Sequence, residues 1–569
     1  MFKTLQQNFR GILQYGILGS VVALYVSAIG VVETFAQRNL VGSFLSLGHV
    51  FLFMGAVGAG TLATRTMKKD NASNRDSAVG GVIAGMISSL FLVILTVIIQ
   101  VFVVQAGEGP AIFKLRDMFL NFSPFLLGFL TFGQGLVLGN VILILVSGFL
   151  GLVGASFVLL PEKWRRGWIN SLIWVLGLGL FSENVAQIVT QILGAGFNRF
   201  LFSNKALNPE VALVIFILTF AFGYFGVNSA TRARWSRMPE SRQKQGRIAL
   251  VVLGIVMLLV LPWLVGIFLS QAFFTIGYFV IMGLGLNIVV GYAGLLDLGY
   301  VAFFAFGAYA MGILTSTGPL GRIGLNFWEA IPFAVLAGVL WGLLLGFPVL
   351  RMRGDYLAIV TLGFGEIIRI LALSNWLAPL NGGAQGVLHI PAPELFGLVF
   401  STPQTMYYLV ILGALLAVFV TIRLRNSRLG RQWMAMREDE DVAAAMGINL
   451  VQTKLLAFAI GAAFSALAGA IFAARLGNIF PHSFNILISI NALALIIVGG
   501  MGSIPGVIVG AIILVGLPEM LREFAEYRLL FYGILMIVIM LVKPEGFIPE
   551  ARRAQELQAS TEPSAGSES

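Results

Sequence analysis

The chain is written as a series of apolar runs of bilayer length, and that pattern decides most of what it can become. Runs of about 20 apolar residues suit an α-helix crossing a hydrocarbon core of about 30 Å. In lipid every backbone N–H and C=O has to be bonded inside the protein, so such runs are expected to be helical. They fall near 12–32, 43–64, 78–105, 136–160, 168–183 and 210–230. A second series falls near 248–268, 271–290, 300–318, 328–350, 356–376, 404–423, 453–474, 484–500, 505–521 and 528–543. The expected fold class is all-α: a polytopic integral membrane protein of about 16 transmembrane helices, six in an amino-terminal extension and ten in a core. The stretch Asn121–Asn140 reads as a re-entrant or interfacial piece. The first run, Gly11–Val32, lacks an A-x-A-like cleavage pattern and reads as a retained helix. Hydrophobic residues make up 58% of the chain and charged ones 11%, against about a quarter charged in soluble domains. That balance excludes a soluble enzyme, a nucleic-acid-binding domain or a disordered scaffold as the main body.

The net charge of +10 is therefore tested first as an orientation signal. Alternating the loops, with both termini on one side, puts 26 basic residues on that side. Nine lie opposite: Arg38, Lys114, Arg116, Arg199, Lys205, Arg322, Arg475, Arg522 and Arg528. The asymmetry predicts that both termini are cytoplasmic. The two series divide at Thr231–Arg247, which carries six basic residues and the single acid Glu240. The domain reading is thus a membrane extension over 1–230, a basic cytoplasmic linker over 231–247 held near anionic lipid, a core over 248–550 and a disordered tail over 551–569.

Much of the glycine count of 67 is expected to serve close helix packing. Small residues four apart form stripes at Gly338, Gly342 and Gly346, at Gly461, Ser465 and Gly469, and at Gly502, Gly506 and Gly510.

The sequence carries no marks of an enzyme. Gly-Lys does not occur, so there is no Walker A loop, and neither H-E-x-x-H nor G-x-S-x-G is present. There is no cysteine, and His49, His389 and His482 are far apart in sequence. No catalytic residues, metal site or bound cofactor are expected.

Polar residues in apolar surroundings are the candidates for function. Glu366 and Arg369 share a helix face and can pair. At membrane depth such a pair marks either a pathway or gate, or a structural ion pair. Asn381-Gly382-Gly383-Ala384-Gln385-Gly386 follows on the outer side, either as a flexible turn or as a nest of N–H groups for a carboxylate. Gly291–Tyr300 breaks two helices, with Asp297 expected to cap a helix starting near Leu298. The segment 424–452 is the longest cytoplasmic piece of the second series. Its acids and the terminal Gly447 suit a short helix. Trp433, Met434, Met436 and Met446 have no lipid to face and suggest a docking surface for a soluble partner.

That segment resembles the cytoplasmic coupling loop of ABC-importer permeases of the branched-chain amino acid type, the LivM-type subunit. Four further stretches match in order: Gly291–Tyr309, Gly346–Arg369, Gly499-Gly-Met-Gly-Ser503 and Lys543-Pro-Glu-Gly-Phe-Ile-Pro549. The resemblance covers roughly 250–550. It implies a partner permease of LivH type, two ABC ATPase subunits of LivG and LivF type that use ATP, and an extracytoplasmic substrate-binding protein delivering leucine, isoleucine or valine. ATPase coupling would fall to Arg437, Glu438, Asp439, Glu440, Ala443, Ala444, Met446 and Gly447. Thr361, Glu366, Arg369, Asn381, Gly382, Gly383 and Gln385 would lie near the translocation path. Two positions depart from the family pattern, Ala384 where proline is usual and Asp441 where an apolar residue is usual. Related permeases carry urea or short amides. The resemblance does not extend to residues 1–245. The competing classes are a secondary transporter or channel, expected to hold more acids in its spans, and a membrane-embedded enzyme or scaffold.

Overall fold

The computed structural model describes residues 6, 8–101, 121–225, 240–321, 323–349, 352, 354–520 and 527–549. Lys114, Arg116, Arg322, Arg351, Arg353, Arg522, the linker residues 231–239 and the tail 551–569 lie outside the described residues. The chain divides into two compact units, Met1–Leu253 and Gly254–Ser569.

The first unit holds the long helices α1 (Phe9–Ala28), α2 (Leu47–Lys69), α3 (Asn74–Ile87), α4 (Leu90–Ile99), α5 (Leu136–Leu159), α6 (Glu162–Leu180), α7 (Ser182–Leu193) and α8 (Pro209–Phe225). Small residues set its packing: a Cβ on Gly19 would lie 2.7 Å from the Gly55 carbonyl oxygen, so α1 and α2 touch backbone to backbone. α6 and α7 meet at an angle of 79°, with the polar Ser182-Glu183-Asn184 at their junction, where the run 168–183 ends. A small sheet joins β1 (Asn39–Val41), β2 (Leu45–Ser46), β3 (Phe202–Ser203) and β4 (Ala206–Leu207) in the order β2-β1-β4-β3. Beside it Arg38 and Lys205, both assigned to the outer side by loop charge, meet at Glu183 at 3.6 and 2.8 Å. Within Asn121–Asn140 a short helix, Pro124–Leu130, is followed by a tight turn with Phe132 and Gly133 at positive φ. Seven residues cannot cross a bilayer.

The second unit holds α9 (Glu240–Leu286), which begins upstream of the unit's first residue and ends in a π-helical turn (Asn287–Tyr292). It continues with α10 (Val301–Thr315), α11 (Phe327–Val349), α12 (Asp355–Leu373), α13 (Pro403–Arg425), α14 (Arg428–Glu438) and α15 (Glu440–Ala445). It closes with α16 (Leu450–Leu476), α17 (Ile486–Gly499), α18 (Ile504–Ala511) and α19 (Arg528–Val542). α16 is the central post, packed between α10 and α11. The glycine stripes lie on these contacts. A Cβ on Gly342 of α11 would come 2.7 Å from the Ala462 Cβ, Gly469 of α16 abuts the Phe304 carbonyl, and Gly510 of α18 abuts the Leu495 carbonyl.

The helical class is as expected. Among the described residues ten helices are long and apolar enough to cross a membrane, or eleven when α6 and α7 count as one bent span. The runs 248–268 and 271–290 are not separated by a loop. They are two helices that meet directly at Gly266, where φ is 78° and the backbone leaves the helical range. Four further apolar helices, Pro209–Phe225, Val301–Thr315, Ile504–Met520 and Tyr532–Val542, are shorter than a bilayer needs. α10 tolerates its 15 residues because most of them are buried in protein rather than lipid.

Candidate functional site

The segment between α13 and α16 is built from two short helices. Ser427 starts α14 by accepting the Gly430 N–H at 3.2 Å. Asp439 ends it with extended backbone, and its carboxylate accepts the N–H groups of Asp441 (2.8 Å) and Val442 (3.0 Å), which starts α15. Gly447 follows with φ 84°, as a helix end favours. Arg437–Gly447 is therefore bent at Asp439.

Its apolar residues do two different jobs. Trp433 and Met436 do not face water: both are buried, and the Trp433 indole N–H donates to the Thr453 carbonyl at 2.9 Å. The sequence placed them on a docking surface, but both are buried, with Trp433 fixed to the first turn of α16. Met434 is half-buried. Met446, at 79% exposure, and Val442, at 59%, are the large apolar groups left in the open. Around them Glu438, Asp439, Asp441, Ala444 and Gly447 are exposed, while Ala443 is buried. Glu440 pairs at 2.9 Å with Lys454, itself buried. Trp433→Ala should cost about 3–5 kcal/mol of local stability and open α14 and α15 to limited proteolysis. Trp433→Phe, which gives up only the indole bond, should cost about 1 kcal/mol.

Arg437 points inward. Its guanidinium donates to the Gly291 carbonyl, and Gly294, at φ 73°, lies against its side chain. This is the start of the broken segment Gly291–Tyr300, and the other matched motifs gather there. Asn287 accepts the Gly502 N–H at 2.9 Å. The N–H groups of Phe547 and Ile548 donate to the carbonyls of Val498 and Gly499, both at 2.9 Å. Tyr300 donates to the Gly461 carbonyl at 2.7 Å, and Ser489 accepts the Val301 N–H at 2.8 Å. Several backbone groups at the break thus have protein partners where water is scarce. Asp297 does not cap a helix near Leu298, because α10 begins only at Val301. Wholly buried, it accepts the Gly299 N–H at 2.9 Å and closes a local turn.

The residues expected near a path are dispersed. Thr361 is buried and accepts the Leu298 N–H at 3.0 Å, so it clamps the break. Arg369 Nε donates to Glu366 at 2.9 Å, and the pair lies on a partly exposed face of α12. The loop Asn381–Gly386 is not an open nest. The N–H groups of Gly382, Gly383, Gln385 and Gly386 are taken by Ala378, Asn381, Gly382 and Gly383. Asn381 is buried, with its amide on the Ala372 carbonyl at 3.0 Å, while Gln385 is exposed. Val387 and Ile479 exchange backbone bonds beside it, at 2.9 and 2.8 Å.

A cleft of about 380 Å³ lies elsewhere, among α9, α16, α17, α19 and the segment around Glu519. Its polar groups are Gln271, Thr275, Arg475, Asn485, Asn491 and Glu519, and its walls include Phe279, Phe472 and Ile488. The volume is within the range of ligand pockets, about 300–1,000 Å³. None of these residues was singled out from the sequence as a site. The signal was there: Glu519 sits inside the apolar run 505–521, as Glu366 sits inside 356–376. Arg475 ends the 27-residue α16 at the pole opposite Thr453, where the segment 424–452 is fixed through Trp433.

The family model for the branched-chain amino acid transport system permease component matches residues 268–540. The LivM permease protein of Salmonella typhimurium is 43% identical over 304 residues, covering 49% of this chain and 70% of the relative. The chain belongs to the branched-chain amino acid transport permease family. It is a multi-pass, non-catalytic membrane subunit, as the sequence resemblance implied. The Escherichia coli LivM permease protein is 44% identical over 303 residues, with the same coverage of 49% and 70%. The LivH permease protein of Salmonella typhimurium is 27% identical over 308 residues, covering 50% of this permease and 97% of the relative. No solved structure matches. The matched segment begins within α9 and takes in the junction around Gly291, the coupling segment and the cleft. Among the described residues no group of three or more His, Asp or Glu could hold a metal ion.

Proposed function

We propose that the permease is the membrane-spanning subunit of an ATP-driven, binding-protein-dependent importer of leucine, isoleucine and valine in the bacterial inner membrane. The observation that carries this reading is α15, which presents Val442 and Met446 to solvent while Arg437, behind it, grips the broken segment at Gly291. Such an arrangement suits a plug for a partner ATPase and a lever into the bundle. The chain binds no ATP; two LivG- and LivF-type subunits hydrolyse it, and an extracytoplasmic binding protein supplies the substrate. A LivH-type permease covers the face of α12 that carries Glu366 and Arg369, since an ion pair within an apolar span is costly against lipid. Sixteen crossings with both termini cytoplasmic fit the loop charges, with the two helices that meet at Gly266 crossing separately and the shorter helices completing their crossings within protein. Residues 1–230 form an accessory membrane extension, joined to the permease core through the basic linker.

The double variant Val442→Asp, Met446→Asp tests the reading. A few buried anchors carry most of an interface's energy, and a carboxylate placed in such an apolar contact would be buried without a partner. ATP-coupled leucine uptake by the assembled complex should fall at least about tenfold, and the ATPase subunits should no longer copurify. Normal uptake in this variant would sink the reading.

A further inference from the structure

The cleft at the far end of α16 has the composition of a site for a small zwitterion. Arg475 and Glu519 supply opposite charges to one cavity, with Asn485 and Asn491 at its polar edge. The Arg475 guanidinium donates to Gln271 Oε1 at 2.7 Å, while its Nε is buried without a hydrogen-bond partner. A buried donor of that kind calls for an acceptor, and a carboxylate matches the planar guanidinium with two parallel bonds. The remaining wall is apolar apart from the hydroxyls of Thr275, Tyr278 and Tyr532. A purely structural ion pair would not need a hollow beside it. A lipid-filled groove would not need charges of both signs with two amides. We propose that the cleft is an occupancy site for a free α-amino acid with a branched apolar side chain. The carboxylate lies at Arg475, the ammonium toward Glu519, and the side chain against Phe279, Phe472 and Ile488. The site rests on the import reading and names where, within that pathway, the permease itself holds its cargo.

The chain contains no cysteine, so a single thiol can be placed in the cleft and its modification followed by mass spectrometry of this subunit. In the assembled transporter, leucine and isoleucine should slow the reaction of Ile488→Cys with a methanethiosulfonate reagent at least tenfold. 3-Methylbutylamine, which lacks the carboxylate, and 4-methylpentanoate, which lacks the ammonium, should not. Arg475→Gln should abolish the protection, and Arg475→Lys should restore part of it. As a second readout, leucine uptake with saturating binding protein should drop at least tenfold in Arg475→Gln and partly recover in Arg475→Lys. Three results would overturn the site: uptake unchanged in Arg475→Gln, no protection by leucine in a complex that imports it, or equal protection by the amine and the amino acid. Absence of ATP-coupled leucine uptake by the unmodified complex would instead overturn the import reading itself.

Discussion

Replacing Arg437 with alanine is expected to uncouple the transporter: ATP hydrolysis continues, and leucine uptake falls at least about tenfold. The reason is where the guanidinium goes. It does not reach out from the coupling segment but back into the bundle, to the Gly291 carbonyl, with Gly294 packed against its stem. A hydrogen bond to a charged group contributes about 1.5–3 kcal/mol, and its loss strands a buried acceptor. The exposed face of α15 is left untouched, so ATPase subunits still seat and still turn over. What is lost is the link by which their closure would bias the broken segment between two states. This separates Arg437→Ala from the Val442→Asp, Met446→Asp variant, which should lose docking as well as uptake. Arg437→Lys, which keeps the charge but not the guanidinium geometry, should fall between. Hydrolysis and uptake declining in parallel in Arg437→Ala would argue against a lever and for a docking residue.

Gly469→Val is expected to remove nearly all folded permease from the membrane. A Cβ at residue 469 would overlap the Phe304 carbonyl, and it also meets the Ala308 nitrogen at 3.0 Å. Both neighbours are backbone atoms of α10, which cannot swing aside as a side chain can. Overpacking a core costs about 1–3 kcal/mol even where side chains can adjust; here α10 would have to leave α16, taking Tyr300 and its bond to Gly461 along. The amount of permease surviving mild detergent extraction and size exclusion should fall at least about tenfold. Gly363→Val is the control, because nothing lies within 4 Å of a Cβ there. Similar yields for both variants would mean that α10 and α16 are not held at backbone distance.

The helices were legible because their cause is one-dimensional: an apolar run in lipid has to bond its own backbone. The break at Gly291–Tyr300 was legible for the same reason, as a run interrupted by glycines and an acid. Two readings turned on causes that lie across the chain. Trp433 and Met436 read as exposed because no lipid borders a loop, and sequence does not display that Trp433 packs on the start of α16. The Asn381–Gly386 loop read either as a turn or as a nest of free donors, and tight folding at three positive-φ glycines turns those donors inward. Gly266 also hid its effect, since one residue at positive φ can break a helix without giving it a loop. The cleft drew on residues from Gln271 to Tyr532, a span over which no local pattern can bring lone polar residues together.

The bonds that close the break have a consequence for how the permease is made. Tyr300 is 161 residues from its acceptor at Gly461, and Val301 is 188 residues from Ser489. A ribosome delivers the chain at about 5–20 residues per second. For roughly ten seconds or more after Gly291–Tyr300 emerges, the Tyr300 hydroxyl and the Val301 N–H therefore lack these native partners. During that interval the segment is expected to stay at the aqueous border of the membrane, since entering lipid with unmet polar groups is costly. Biogenesis is thus ordered from the back: α16 and α17 must be in place before the middle of the core can be drawn in and sealed.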